Sequence, residues 1–560
     1  MIGDAADIEP GSTLESDICI VGAGAAGITL ALSLLECGLS VLLLESGGLG
    51  SEPASQALYD GSVADARLHS PANTYRRRGF GGSTTLWGGR CVPFDPIDFE
   101  ARPWISGPGW PIGADALAPW YPAANALCEA GRFAYTAAEA FPHGVRPMLA
   151  GFQGGDFTDT TLERFSCPTD FGVRYRARLA QSRSLRVLLH ANVVELRTRP
   201  DGASVESLDV RSLGGRRFQV RPRITVLAVG GLEVPRLLLA SRDHQPAGIG
   251  NVHDQVGRTY MCHIAGTLGA LAVSGGPGAV WHGYDVADDG TYCRRRFALT
   301  ATAQRRKRVG NFIARLHHPR IPDPSHRTGA LSALYFAKPF IGYEYAKRLA
   351  GEDRLSPADM LRHARNIAFD LPDTARFLLH WARHRTLAAR KYPSVIVAPK
   401  TQLYTVDFNA EQEPNPLSRI TLTADRDALG MQRILVDWRY SNTDIRTVTT
   451  AFAGLARELA VSGCASLTYD PDEVVASILR DGAYGGHHIG TSRMSESAST
   501  GIVDTDCRVH GMHNLFVAGS AVFPTSSQAN PTLTIVTMAL RLAAHLAAAE
   551  VTPRTASSLV

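Results

Sequence analysis

Nothing in the sequence ties this chain to a metal or a nucleic acid, or offers a segment that spans a membrane. Its nine cysteines (Cys19, Cys37, Cys91, Cys128, Cys167, Cys262, Cys293, Cys464 and Cys507) stand singly, with no Cys-x-x-Cys pair and no His/Cys cluster at zinc spacing. That excludes a disulfide scaffold, a structural zinc and a Cys-held iron–sulfur cluster, so no metal is expected. An odd number of isolated thiols suits a reducing compartment. No charge of one sign dominates: 57 Lys and Arg against 53 Asp and Glu leave a formal +4 over 560 residues, too little for a nucleic-acid partner. Long apolar runs are missing as well. Ile18 to Leu35 is divided by Gly22, Gly24 and Gly27, and Leu533 to Ala549 by Arg541 and His545, so no transmembrane segment is expected. The leader carries Asp4, Asp7, Glu9, Glu15 and Asp17 where a secretory signal needs positive charge, and the expected location is cytoplasmic.

What is present is enough to fold. With 45% hydrophobic and 20% charged residues, the chain supports two domains, or one large domain with insertions. Asp17 to Val21 reads as a buried strand, Ala25 to Cys37 as a helix and Ser40 to Leu44 as a second buried strand, which is a βαβ unit with parallel pairing. Strand signals return at Leu185 to Leu189, Val193 to Arg197 and Ile224 to Val229, the last followed by a helix through Leu237. From about 266 to 475 the pattern loosens into alternating strands such as Arg419 to Thr423 and Ile434 to Trp438, as an antiparallel sheet requires. A basic helical insertion occupies about 340–392. The expected class is α/β (α+β overall): a Rossmann-like dinucleotide domain with a discontinuous substrate domain built on an antiparallel sheet. The expected division is 1–100, 165–265 and 480–560 for the first, and 101–164 and 266–479 for the second.

Gly22-Ala-Gly24-Ala25-Ala26-Gly27 lies between the first strand and its helix, the context a dinucleotide fingerprint needs. The first glycine permits the tight turn, the second lets backbone approach a pyrophosphate, and the third lets helix pack on strand. Glu45, followed by Ser46, ends the second strand at the distance expected of an acid that accepts ribose hydroxyls. This fingerprint alone does not separate NAD from FAD. A second glycine-rich run, Gly79 to Gly89, includes Gly81, Gly82, Ser83, Thr85, Leu86, Trp87, Gly88 and Gly89, and lets backbone approach a flat ring. Near the end, Gly486-His487-His488 precedes a turn, and Asn530-Pro531-Thr532 opens an amphipathic helix to Leu546. Asn as N-cap and Pro at N1 is a complete structural account of Asn530 and Pro531.

Together these runs resemble the glucose-methanol-choline (GMC) family of FAD oxidoreductases, in order and over nearly the whole chain. Residues 17–47 are similar to its FAD-binding start, Gly81 to Gly89 to its second flavin segment, and Ala228 to Arg236, with Gly230, to its mid-chain nucleotide turn. Glu413 to Arg419 resembles its substrate-domain motif. His487 to Met494, Asn514 to Ser520 with Gly519, and Asn530 to Thr534 resemble its C-terminal catalytic and flavin segments. The resemblance implies FAD as cofactor, with Val194 added to the contacts named above. The His/Asn pair and the Asn-Pro-Thr-Leu-Thr ending look most like the pyranose oxidase and sugar dehydrogenase branch. Two departures stand out. Leu86 occupies the place where several relatives carry a flavin-tethering histidine, which implies noncovalent FAD. Trp87 stands where glucose oxidase-like members have asparagine.

The implied reaction is oxidation of an alcohol, most simply a ring hydroxyl of a sugar or glycoside, with oxygen or a quinone as electron acceptor. His487 is the expected base, because imidazole titrates near neutral pH, and His488 is the alternative. Asn530 orients the hydroxyl, and the helix N-terminus at Pro531 faces the charge that arrives on the flavin. Two other readings stay open. One is a flavin-dependent lyase or isomerase. The other is a membrane-peripheral polyol dehydrogenase subunit, suggested by Arg376, Arg383, Arg385, Arg390 and Lys391 interleaved with Phe377, Leu378 and Trp381.

Overall fold

The βαβ unit forms as expected and seeds the larger of two main sheets. The structure, a computed structural model, describes residues 1–337, 356–397, 399–481 and 483–551. Strand Thr13–Val21 runs parallel to Val41–Leu44 on one side and to Arg217–Leu227 on the other. Leu185–Leu189 and Ile2–Asp4 extend the parallel arrangement outward from Val41–Leu44, and Leu515–Val517 adds in parallel beside Arg217–Leu227. Val205–Arg211 and Asn192–Thr198 close the other edge antiparallel. The first helix is Ala25–Ser33, four residues shorter than its apolar pattern predicts. The chain turns at Leu34 to Cys37 and reverses through Gly38 at φ 75°, which brings it back in time to start the strand at Val41. Ile18, Ile20, Leu43, Val187 and Val226 pack in one core with Leu533 and Val536 of the last helix, which runs Thr532–Val551.

The second main sheet is antiparallel. Its order is Ala465–Thr468, Met261–Val273, Leu403–Glu411, Phe312–His317, Phe297–Leu299 and Phe157–Thr158, with Ala483–Ile489 beside the start of Met261–Val273. Phe312, Phe408 and Phe452 anchor its own core under the helix Asn442–Val461. The strands Arg419–Arg426 and Gln432–Asp437 pair as expected, but they form a separate three-stranded sheet with Ser62–Val63. A fourth sheet joins Arg90–Cys91, Leu162–Phe165, Tyr292–Arg295 and Asp285–Val286. Met261–Val273 crosses the boundary expected at 265, and Ala483–Ile489 hydrogen-bonds to it from beyond 480. Of the basic insertion, residues 340–355 lie outside the described residues; the remainder forms helices Pro357–Phe369 and Leu371–Trp381. No described helix is long and apolar enough to cross a membrane.

Candidate active site

Four parallel strands end at one edge of the larger sheet, and the residues that follow them wall one cavity. Gly22, Gly24, Ala25 and Ala26 come after Val21, Glu45 and Ser46 after Leu44, Ala228 to Gly231 after Leu227, and Gly519 with Ser520 after Val517. Ligands of open parallel sheets bind at this edge, outside the carboxyl ends of the strands. The cavity holds about 870 Å³ and continues past Gly82, Ser83, Leu86, Trp87 and Gly88 to His487, Asn530, Pro531 and Thr532.

The glycines at this end meet a steric requirement. Gly22 sits at φ 102°, and a Cβ there would lie 2.7 Å from the Ala228 carbonyl oxygen. A Cβ on Gly27 would lie 1.9 Å from the Gly22 oxygen, so Gly27 packs helix on turn instead of lining the cavity. A Cβ on Gly82 would lie 2.8 Å from the Gly24 Cα, which shows the two glycine runs meeting backbone to backbone. Gly81, Thr85, Gly89 and Val194 also stand behind the wall. Gly81 donates its N–H to the Ala23 carbonyl at 2.9 Å, Thr85 its hydroxyl to Gly82 at 2.9 Å, and Gly89 at φ 76° turns against Pro168. Val194 is buried, and its neighbours Asn192 and Val193 reach the cavity. The Glu45 carboxylate lines the cavity and also ties the turn together, accepting from the N–H groups of Ala23 and Gly47 at 2.8 and 3.0 Å. It also accepts from the Ser46 hydroxyl at 3.0 Å, which leaves one lone pair for a ribose hydroxyl. A backbone cradle, helix N–H groups at Ala25 and Ala26 and an acid beyond them fit a dinucleotide pyrophosphate and its ribose. Leu86, half exposed, lines the cavity and offers no nucleophile to a flavin.

At the other end, His487 is gripped from both sides. Asn530 donates through Nδ2 to His487 Nε2 at 3.2 Å, and His487 Nδ1 lies 2.8 Å from Nδ1 of His263. Burial, then His263 and Arg90, hold His487 well below the ordinary imidazole value, and burial brings His263 down to about 4. Both rings are therefore neutral near pH 7. Asn530 is not the helix cap its position predicts. The Pro531 carbonyl accepts the first helical N–H, from Ile535, at 2.8 Å, while Asn530 Oδ1 is buried with no hydrogen-bond partner. His488 points the other way, its ring 6.0 Å from that of Tyr260 and 6.3 Å from that of His69, and its carbonyl accepts from the Ser520 hydroxyl at 2.7 Å.

Beyond His487 the antiparallel sheet forms a floor. Thr267 pairs with Asp407, Ala265 with Asn409 and His317 with Thr405, so one face carries His263, Asn409, Asp407 and His317 in alternate positions, and all four line the cavity. The cavity is also lined by an apolar and aromatic group, Ile321, Leu334, Phe377, Leu378, Trp381 and Val395. Part of the insertion's apolar stripe, Phe377, Leu378 and Trp381, thus lines the cavity. His263, Asp407 and Asn409 escape the motif reading, although Asp407-x-Asn409-x-Glu411 is a period-two polar row inside an otherwise apolar strand, and such a row signals a lined site. Among the described residues no group of three His, Cys, Asp or Glu is arranged to hold a metal ion.

The fold and this cavity define a dinucleotide-dependent oxidoreductase. The family model described as FAD dependent oxidoreductase matches residues 17–367, and that described as GMC oxidoreductase matches 414–539. The chain belongs to the GMC family of FAD-dependent oxidoreductases. It is 22% identical to paromamine 6'-oxidase of Streptomyces fradiae, covering 96% of this chain and 93% of that protein. It is 23% identical to the fructose dehydrogenase large subunit of Gluconobacter japonicus, covering 95% and 97%. Its fold is similar to the crystal structure of pyridoxine 4-oxidase from Mesorbium loti, with a TM-score of 0.52, 19% identity and coverage of 94% and 98%.

Proposed function

We propose that this enzyme oxidises a ring hydroxyl of a sugar or glycoside, with His487 as base, Asn530 as orienting group and noncovalent FAD as hydride acceptor. The observation that carries the reading is the hydrogen bond from Asn530 Nδ2 to Nε2 of a neutral His487 at the cavity wall. FAD would be held by Gly22 to Ala26, Glu45, Ser46, Gly82 to Gly88 and Gly519-Ser520, and its chemistry is to take the hydride from the alcohol carbon. Residues 1–100, 165–265 and 480–560 are assigned to its domain, with Met261–Val273 and Ala483–Ile489 shared with the substrate domain.

The hydrogen bonds select the base atom. An amide N–H₂ only donates, so His487 Nε2 must accept, and the ring proton sits on Nδ1, from which it is donated to His263 Nδ1. The Nε2 lone pair therefore points to Asn530, at the cavity wall. An incoming hydroxyl donates to that lone pair and accepts from Asn530 Nδ2, replacing the bond between the two residues without leaving either unpaired. When the hydroxyl proton moves to Nε2, His487 keeps its Nδ1–H bond to His263, which stabilises the imidazolium. A polar floor and an aromatic wall suit a ring with hydroxyls on one side and C–H groups on the other. The sequence coverage by sugar-oxidising and aminoglycoside-oxidising relatives supports the substrate class, and nine free cysteines support a cytoplasmic setting. The electron acceptor is oxygen or a quinone.

The test is anaerobic mixing of the holoenzyme with a panel of sugars, glycosides and simple alcohols. A sugar or glycoside should bleach the flavin, and His487→Ala should bind FAD yet bleach roughly a hundredfold more slowly. Bleaching by none of the panel, or at an unchanged rate in the variant, refutes the substrate class or the base respectively.

A further inference from the structure

The cavity wall that carries Arg90 and Arg294 holds more positive charge than its carboxylates answer. Arg90 pairs with Phe165, and Arg294 with Glu163, on strands flanking Leu162–Phe165. Directly paired residues and residues two apart share a face of an antiparallel sheet, and Arg90, Phe165 and Arg294 all line the cavity. Glu163 is already committed to Arg315, which donates to it through Nε at 2.9 Å and Nη2 at 2.5 Å. Its other oxygen stands 3.6 Å from Arg90 Nε, a buried atom with no hydrogen-bond partner. Asp407 accepts from Arg315 Nη1 at 2.8 Å. Arg294, 5% exposed, donates to the Leu316 carbonyl at 2.5 Å and has no ion-pair partner among the described residues. Arg296 stands 3.9 Å from Glu163, feels Asp95 as well, and donates to the neutral Thr161 and Gln528 side chains. Arg90, Arg296 and Arg315 thus share Glu163, with Asp407 also on Arg315 and Asp95 near Arg296, and Arg294 stands beside them with no carboxylate of its own among the described residues.

Buried cations without partners are costly, and guanidinium forks match oxyanions. Resting on the alcohol-oxidising reading of this same cavity, we propose that the substrate carries an oxyanion, a carboxylate or a phosphate ester, which docks on Arg90 and Arg294 while its hydroxyl lies at His487. An acidic or phosphorylated sugar meets both the polar floor and this wall. A cationic amino sugar meets the floor and is repelled by the wall.

Binding to the holoenzyme is read from the visible spectrum of oxidised flavin at constant ionic strength, using D-glucose, D-glucuronate, glucose 6-phosphate and inorganic sulfate. At least one of the two anionic sugars should bind about tenfold or more tightly than glucose, and sulfate should compete with it. Arg294→Gln should abolish that preference, the anionic sugar binding no more tightly than glucose measured in the same variant, and Arg294→Lys should keep part of it, separating charge from packing. Preference for glucuronate identifies a carboxylate, and for glucose 6-phosphate a phosphate ester. Equal binding of anions and glucose, or a preference intact in Arg294→Gln, overturns the proposal. Binding is read without turnover, so failure of every sugar to bleach the flavin refutes the reaction reading and leaves this result to be judged separately.

Discussion

The two ends of the cavity are built by opposite means. The end proposed for the cofactor is built largely on backbone: Gly22 and Gly82 approach neighbouring backbone closely because they lack a Cβ, and two buried acids are committed there, Glu45 to the turn it stabilises and Glu233 to Arg76 and Arg78. The end proposed for the substrate is side chain: His263, His487, Asn530, Arg90 and Arg294 come from separate segments, and it holds three buried polar atoms without hydrogen-bond partners, Asn530 Oδ1, Arg90 Nε and His263 Nε2, against Arg78 Nε at the other end. A surface that binds the same molecule permanently can be satisfied in advance. One that must receive and release substrate keeps bonding capacity in reserve, at a stability cost of about 1–3 kcal/mol for each buried unpaired group.

The sharpest break of that comparison is Gly27→Ala. With the Gly22 oxygen only 1.9 Å from the new Cβ, the turn must open, at a cost above the about 1–3 kcal/mol typical of overpacking. The purified variant should be colourless, whereas acid precipitation of the wild type should release all its yellow colour into the supernatant, as noncovalent FAD requires. Colour left in the wild-type pellet would mean that another residue tethers the flavin.

At the other end, His263→Leu removes the acceptor of the His487 Nδ1–H. Flavin reduction should slow on the order of tenfold with FAD retained. His263→Asn, whose Oδ1 can accept the same bond, should recover most of the rate; equal rates in the two variants would dismiss His263 as a positioning residue.

The smallest effect is on stability. Burial holds His263, His282 and His326 at about 4, and His487 and His488 well below 6.5. In each case the unfolded chain takes up a proton first, so stability is lost as pH falls below about 6.5. His190, on the larger sheet's side, has the opposite sign: burial opposes its charge, but Glu52 and Asp4 outweigh that and raise its value, so its contribution is full below 6.5 and fades at higher pH. Hydrogen exchange at pH 5 should therefore rise in Met261–Val273 and Leu403–Glu411 before Thr13–Val21. Uniform loosening would contradict this division.

Much of the cofactor end can be read along the chain because its determinants are local. A glycine turn between a buried strand and a helix needs three glycines within six residues, and Gly22, Gly24 and Gly27 supply them. The pairing of His487 with Asn530 is also readable, but only through family resemblance, since 43 residues separate them and no periodicity links them. Asn530 illustrates the limit of local reading: its sequence context is that of a helix cap, and the fold gives the cap to Pro531 and turns the amide to His487.

By itself, then, the sequence determined the βαβ start, the glycine cradle and the antiparallel character of the second half, because strand period, turn chemistry and Cβ sterics act over a few residues. Only the tertiary structure decided that His263 stands behind His487 across 224 residues, that Asp407 is spent on Arg315, and that Arg90 and Arg294 share one wall. Those outcomes depend on strand register, and register is set by how two cores close on each other.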